Sequence, residues 1–246
     1  MAKCTFLAMT AGEFEQSPDP ESRSAWMACQ FSPWNQGLSN LPQALPEGSL
    51  VILNDQAPIC GHDSSRILRQ LKALLEGNRC YGLLLDFERP GQEEAAAMAA
   101  ALVEALPCPV GVSAAYAEGL NAPVFVPPAP PDTPLSEYLA PWAGREIWLE
   151  AALNGCRITL TEQGASTQPL DAGEHPAQGF RDAQLHCSYR IARTDSDAQF
   201  TLWRSREDLW ELLDEAASLG VTATIGLYQE LGRSSAPPLG ELWRSH

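Results

Sequence analysis

The sequence predicts an α/β fold, an irregular (β/α)8 TIM-barrel-like arrangement in one domain spanning 1–246, with a β-hairpin near residues 147–162. Three observations predict it. The chain has 246 residues, an ordinary size for one barrel of alternating strands and helices. Its clearest strands are continuous apolar runs, as expected where a parallel sheet is covered on both faces. Between those runs lie segments of helical period, which is the rhythm of βαβ units.

Residues 1–10 hold one basic residue and a short apolar run, while Gly12, Glu13 and Glu15 stand where the cleavage region of a signal peptide would fall. A first strand and a cytoplasmic location are expected. Leu50-Val51-Ile52-Leu53 is a buried strand that ends in the polar Asn54-Asp55-Gln56. The spacing predicts a helix over 64–76, because Ile67, Leu68, Leu71, Leu74 and Leu75 share one stripe and Gly77 offers a left-handed stop. Tyr81 to Glu88 is the next buried strand, stopped by Pro90 and Gly91, and an alanine-rich helix follows from Glu93 to Leu106.

Val110 to Ala114 makes a further strand, and the proline-dense stretch from Pro123 to Pro134 reads as a loop. Ile147 to Leu153 and Cys156 to Glu162 are strand-like on either side of Asn154-Gly155, the strongest short hairpin signal. A hairpin cannot be a βαβ unit, so either a barrel helix is missing here or a small β insertion decorates the barrel. Gln184 to Ile191 and Gln199 to Trp203 are strand-like. Ser205 and Asp208 then form a capping-box pattern ahead of a stripe of Leu209, Leu212, Leu213, Ala216 and Ala217. Gly220 ends that helix, and Val221 to Leu227 is the last strand, running out into Tyr228.

Acidic residues outnumber basic ones 31 to 16, a field that repels phosphate backbones and anionic lipid, so nucleic acid and membrane are not expected partners. No stretch approaches the roughly 20 apolar residues of a membrane-spanning helix. The 7 cysteines are scattered without a C-x-x-C pair, which fits free thiols better than a disulfide framework or a zinc site. Cys60, His62 and Asp63 crowd one loop, but Asp63 or Ser64 is more simply a helix N-cap. Neither a metal nor a cofactor is expected, and nothing bears on oligomeric state.

Along a strand, side chains at i and i+2 share a face, so Leu84, Asp86 and Glu88 line one side while Leu83, Leu85 and Phe87 occupy the other. In a parallel barrel the carboxyl end of such a strand opens at the mouth, where active sites lie. Two acids brought close there separate in protonation, as glycosidic bond cleavage requires. Acids that cap a neighbouring helix or pair with Arg89 would satisfy the same spacing.

The run Tyr81-Gly82-Leu83-Leu84-Leu85-Asp86-Phe87-Glu88 resembles the D-G-x-D-x-D-x-E strand of family 18 glycoside hydrolases, the chitinase-like barrels. The C-terminal order of a tyrosine strand (Leu185 to Ile191), a tryptophan strand (Phe200 to Trp203), the helix from Ser205 and a strand running to Gly232 is similar to that of peptidoglycan-acting and spore-associated members. The resemblance implies a carbohydrate ligand and substrate-assisted hydrolysis at an N-acetylhexosamine, with Glu88 as proton donor and Asp86 as the acid that orients the acetamido group.

Tyr81 and Leu84 replace the two earlier acids of that pattern, and the apolar Leu84 should raise the pKa of Asp86 through poorer solvation. The family's Met-x-Tyr-Asp strand would fall near Ala151 to Asn154, where no tyrosine stands, and Leu227 or Tyr228 takes the place of its last-strand tryptophan. Tyr116, Glu150, Tyr189 and Tyr228 are therefore the candidates for the remaining substrate contacts. A catalytically inactive barrel that binds glycan is the alternative, with Trp26, Trp34, Trp142, Trp148 and Trp203 as possible stacking surfaces. A third reading pairs Glu88 with Glu150 or Asp55, at about 5 Å for a retaining reaction with a protein nucleophile.

Overall fold

The computed structural model describes residues 4–16, 23–59, 61–170, 174–176, 178–193 and 197–231. In chain order the first strands are β1 (Cys4–Met9), β2 (Arg23–Phe31), β3 (Leu38–Ser39), β4 (Leu50–Asn54) and β5 (Gly82–Asp86). They are followed by β6 (Val110–Ser113), β7 (Val124–Val126) and β8 (Ile147–Ala151). A second group, β9 (Gly155–Thr161), β10 (Gly164–Pro169), β11 (Phe180–Asp182), β12 (Cys187–Arg193) and β13 (Ala198–Trp203), comes before β14 (Val221–Leu227).

Eight of these strands, β1, β2, β4 to β8 and β14, run parallel and close into a barrel, because β1 pairs with both β14 and β2. The short β3 adds antiparallel to β2. The helices are α1 (Ala11–Gln16), α2 (Ser64–Gly77), α3 (Glu93–Ala105), α4 (Leu135–Leu139), α5 (Arg206–Ser218) and α6 (Tyr228–Leu231). No described helix separates β6 from β7, which makes the barrel irregular.

The pleat sorts the strand side chains into two cores. Phe6, Leu50, Ile52, Leu84, Phe125 and Trp148 fill the barrel interior. Leu83, Leu85 and Phe87 point outward to pack with Ile67 and Leu71 of α2 and Met98 and Leu102 of α3. Trp148 is fully buried, and its indole occupies the space opposite Gly111, where a Cβ would lie only 2.3 Å from the ring.

The expected helix starts hold. Asp63 caps α2 by accepting from Ser65 N and Arg66 N, at 2.9 and 3.2 Å. Ser205 and Asp208 form the reciprocal capping box of α5. Three expectations are corrected. The strand 147–153 does not pair with 156–162. Instead β8 stays in the barrel between β7 and β14, while β9 pairs antiparallel with β10 and β13 in a separate five-stranded sheet of order β10-β9-β13-β12-β11. Asn154 is therefore where the chain leaves the barrel, and the alternative of a β insertion is the one realised.

The proline-dense loop, second, contains barrel strand β7. Its prolines bracket the strand without interrupting it, and the Pro123 carbonyl accepts from Val112 N at 2.9 Å. Third, β2 has no counterpart among the expected strands. Its register shifts between Trp26 and Cys29, and that irregularity erases the alternation on which a strand assignment rests.

Candidate functional site at the barrel mouth

Strands β4, β5, β8 and β14 deliver their last residues to one cavity of about 210 Å³ at the carboxyl end of the barrel. Asn54, Asp55 and Gln56 line it from the end of β4, Asp86 and Glu88 from β5, Glu150 from β8 and Leu227 from β14. Leu84, Ile52, Phe125 and Ile225 lie among its apolar lining. The inner face expected for Leu84, Asp86 and Glu88 is thus the face observed. The ladder places Asp86 beside Asn54 in register. Asp86 and Glu150 are half-buried, whereas Glu88 is exposed at the rim.

Beyond Asp86 the backbone leaves the ladder, and side chains from both neighbouring strands receive its amides. Ser113 Oγ accepts from Phe87 N at 3.0 Å and donates to Leu85 O at 3.0 Å. The Asp55 carboxylate accepts from Glu88 N at 3.1 Å and Arg89 N at 3.0 Å, one on each oxygen. Asp55 is therefore engaged by the backbone, an arrangement unlike that of a free nucleophile partnering Glu88.

Electrostatics separate the acids. Burial, followed by the charges of Glu88 and Asp55, pushes Asp86 up to about 6. Burial, followed by Asp86, Glu88 and Glu230, pushes Glu150 up to about 7. Poor solvation is the leading cause for Asp86, in keeping with the apolar Leu84 two residues before it on the same strand face. Among the described residues, neither Asp86 nor Glu150 receives a hydrogen bond from the protein, so the donors that would satisfy these two carboxyls must come from a ligand or water. Both carboxyls are thus held above the ordinary carboxylate range by burial and by their acidic neighbours.

The three tyrosine candidates lie away from the cavity lining. Tyr116 is buried behind the Glu88 segment, donating to Arg89 O and accepting from Gln92 N at 3.3 Å. Tyr189 lies on β12 of the insertion, 5.7 Å from the Phe180 ring, and Tyr228 opens α6. Trp26, Trp148 and Trp203 are buried and Trp142 packs on Tyr138, whereas Trp34 is 91% exposed. Asn54 and Gln56 also line the cavity, although neither is a candidate site residue from the sequence. The signal was present, since a buried strand ending in three polar residues marks a barrel-mouth position.

The His62 ring nitrogens lie 2.8 and 3.0 Å from the Ile59 and Ser32 carbonyl oxygens, and Cys60 lies outside the described residues, as does Gly232. Among the described residues no group of three His, Cys, Asp or Glu could hold a metal ion, and no helix is long and apolar enough to cross a membrane.

The sequence matches no family model and no curated protein. Its structure is similar to that of a glycoside hydrolase family 18 N-acetylglucosaminidase from Paenibacillus barengoltzii, with TM-score 0.60 and 11% identity over 94% of this chain and 98% of that one. It is also similar to the spore cortex-lytic enzyme SleL of Bacillus megaterium, with TM-score 0.57 and 11% identity over 94% and 71% of the two chains. A third similar structure is the chitinase-like agglutinin of Robinia pseudoacacia, with TM-score 0.57 and 14% identity over 90% and 93%. The chain has the (β/α)8-barrel fold of family 18 glycoside hydrolases and their chitinase-like relatives.

Proposed function

We propose that this chain is a glycoside hydrolase acting on N-acetylhexosamine-containing glycan, chitin-like or peptidoglycan, by a substrate-assisted mechanism. The observation that carries the reading is the gathering of Asp86, Glu88 and Glu150 into one mouth cavity, where none of the three carboxyls receives a hydrogen bond from the described residues. Glu88 at the open rim protonates the glycosidic oxygen as the bond to the anomeric carbon breaks. Asp86, as a carboxylate, accepts the acetamido N–H and turns its carbonyl oxygen toward that carbon, where a new C–O bond forms. Glu88, now ionised, then takes a proton from the water that opens the ring and regenerates the sugar.

Glu150 supplies the contact that no cavity tyrosine provides. When protonated it donates to the acetamido carbonyl oxygen and places it for attack. The cavity is smaller than the roughly 300–1,000 Å³ of a typical small-molecule site, so it suits one sugar ring with the rest of the chain outside.

The test is release of product from chitooligosaccharides and from muropeptides. Glu88→Gln should abolish it, and turnover unchanged in that variant would remove Glu88 from the mechanism. A second reading, glycan binding without cleavage, is favoured by Leu84 in place of an acid beside Asp86 and by the lack of a tyrosine among the cavity residues. Heat of binding in calorimetry, with no products formed, would select it.

A further inference from the structure

Past the end of β5 the chain has a physical difficulty. Phe87 is 1% exposed and anchors the outer core, and the amides of residues 87, 88 and 89 bond to side chains in place of strand carbonyls. Buried amides left without acceptors are costly. The structure solves this with one side chain from each flanking strand end, Ser113 of β6 for residue 87 and Asp55 after β4 for residues 88 and 89.

We propose that Asp55 is the positioning residue for Glu88, its two carboxylate oxygens gripping the Glu88 and Arg89 amides so that the Glu88 side chain is aimed into the mouth cavity. The proposal rests on the reading of Glu88 as the acid. Asp55 is 4% exposed, so its carboxylate is held in place from the protein side, and a charged acceptor makes each of the two bonds strong. The same segment is held again from outside, where Arg89 donates through Nη2 to Gln56 O at 2.8 Å and Tyr116 donates to Arg89 O. The clamp thus ties the ends of β4, β5 and β6 into one unit around the acid.

The chemistry requires a carboxylate and not simply a polar group of that size. Two N–H donors need two acceptors, and an asparagine offers one oxygen while turning its own N–H groups toward a donor. D55N therefore removes half the grip without changing volume, and D55A removes all of it.

The experiment is residue-resolved amide hydrogen exchange by NMR on the full chain, for wild type, D55N and D55A. The Glu88 and Arg89 amides should both exchange at least about tenfold faster in D55A, and at least one of them in D55N, while the Val112 and Val124 amides keep their rates. Unchanged exchange at both amides overturns the proposal. If D55A exchanges faster throughout, D55N decides, and a chain-wide rise in D55N as well would overturn the proposal, since Asp55 would then support the barrel and not the segment.

In the hydrolysis assay D55N should lower kcat by about 10²-fold with KM within about threefold, as expected for a displaced catalytic group. D55N combined with E88Q should be no slower than E88Q alone, and a further loss in the double variant counts against action through Glu88. Should wild type release no sugar, the hydrolase reading fails by itself, and the exchange rates still decide whether Asp55 holds the segment.

Discussion

Asp86 and Glu150 illustrate how the barrel sets the chemistry of single side chains. Each is an ordinary acid on a strand, yet closure of the sheet directs both into one poorly solvated space with Glu88 and Asp55 at its edge. Their carboxyls rise from ordinary values of 3.8 and 4.5 to about 6 and about 7. Between those ordinary values and the raised ones, the folded chain binds more protons than the unfolded chain, so stability falls as pH rises through that window. At lower pH both states are protonated and nothing is lost. Glu150→Gln should therefore raise the melting temperature at about pH 8 and leave it nearly unchanged at about pH 4. An equal shift at both pH values, read by thermal denaturation, would show that Glu150 carries no buried charge. The same titration predicts that the proposed hydrolysis, in which Asp86 is to act as a carboxylate, weakens as pH falls through about 6.

At the scale of elements, the barrel is closed as much by a missing side chain as by those present. Trp148 projects inward from β8 and reaches the backbone of β6 at Gly111. Gly111→Ala would force the indole or the strand to move, at a cost of about 1–3 kcal/mol, the usual penalty of overpacking a core. Denaturant unfolding measures this, and replacing Trp148 with a smaller residue in the same chain should recover part of the loss. No recovery would mean that strand geometry, and not the indole, demands the glycine. The helices follow local chemistry more directly, as Asp63 and the Ser205–Asp208 box show.

For the molecule as a whole, the joint between barrel and insertion is decisive. The insertion leaves the carboxyl end of β8 at Asn154, three residues after the strand that carries Glu150, and so rises beside the mouth. Arg204, 1% exposed, joins the two sheets. Its guanidinium donates to the carbonyls of Ala129, Pro130, Leu185 and His186 and to Asn154 Oδ1. Arg204→Ala would strand those acceptors and should cost at least about 3 kcal/mol. Urea unfolding gives the number, and limited proteolysis should show cleavage moving into the insertion. A loss below about 1 kcal/mol would mean that water satisfies the carbonyls as well as the guanidinium does.

Period and capping are information carried over a few residues, and they were readable. The alternation through Leu84, Asp86 and Glu88, the α2 and α5 stripes and the Ser205–Asp208 pattern all lie within one or two turns or pleats of chain. The five-stranded insertion was readable only as an interruption, since Asn154-Gly155 carries a hairpin signal that the parallel pairing of β8 with β7 and β14 overrides. That Glu150 joins Asp86, that Tyr116 turns its hydroxyl to Arg89 and that Asp55 grips two amides are outcomes of ring closure. They depend on how eight strands stagger against one another, and no short stretch of sequence encodes that stagger.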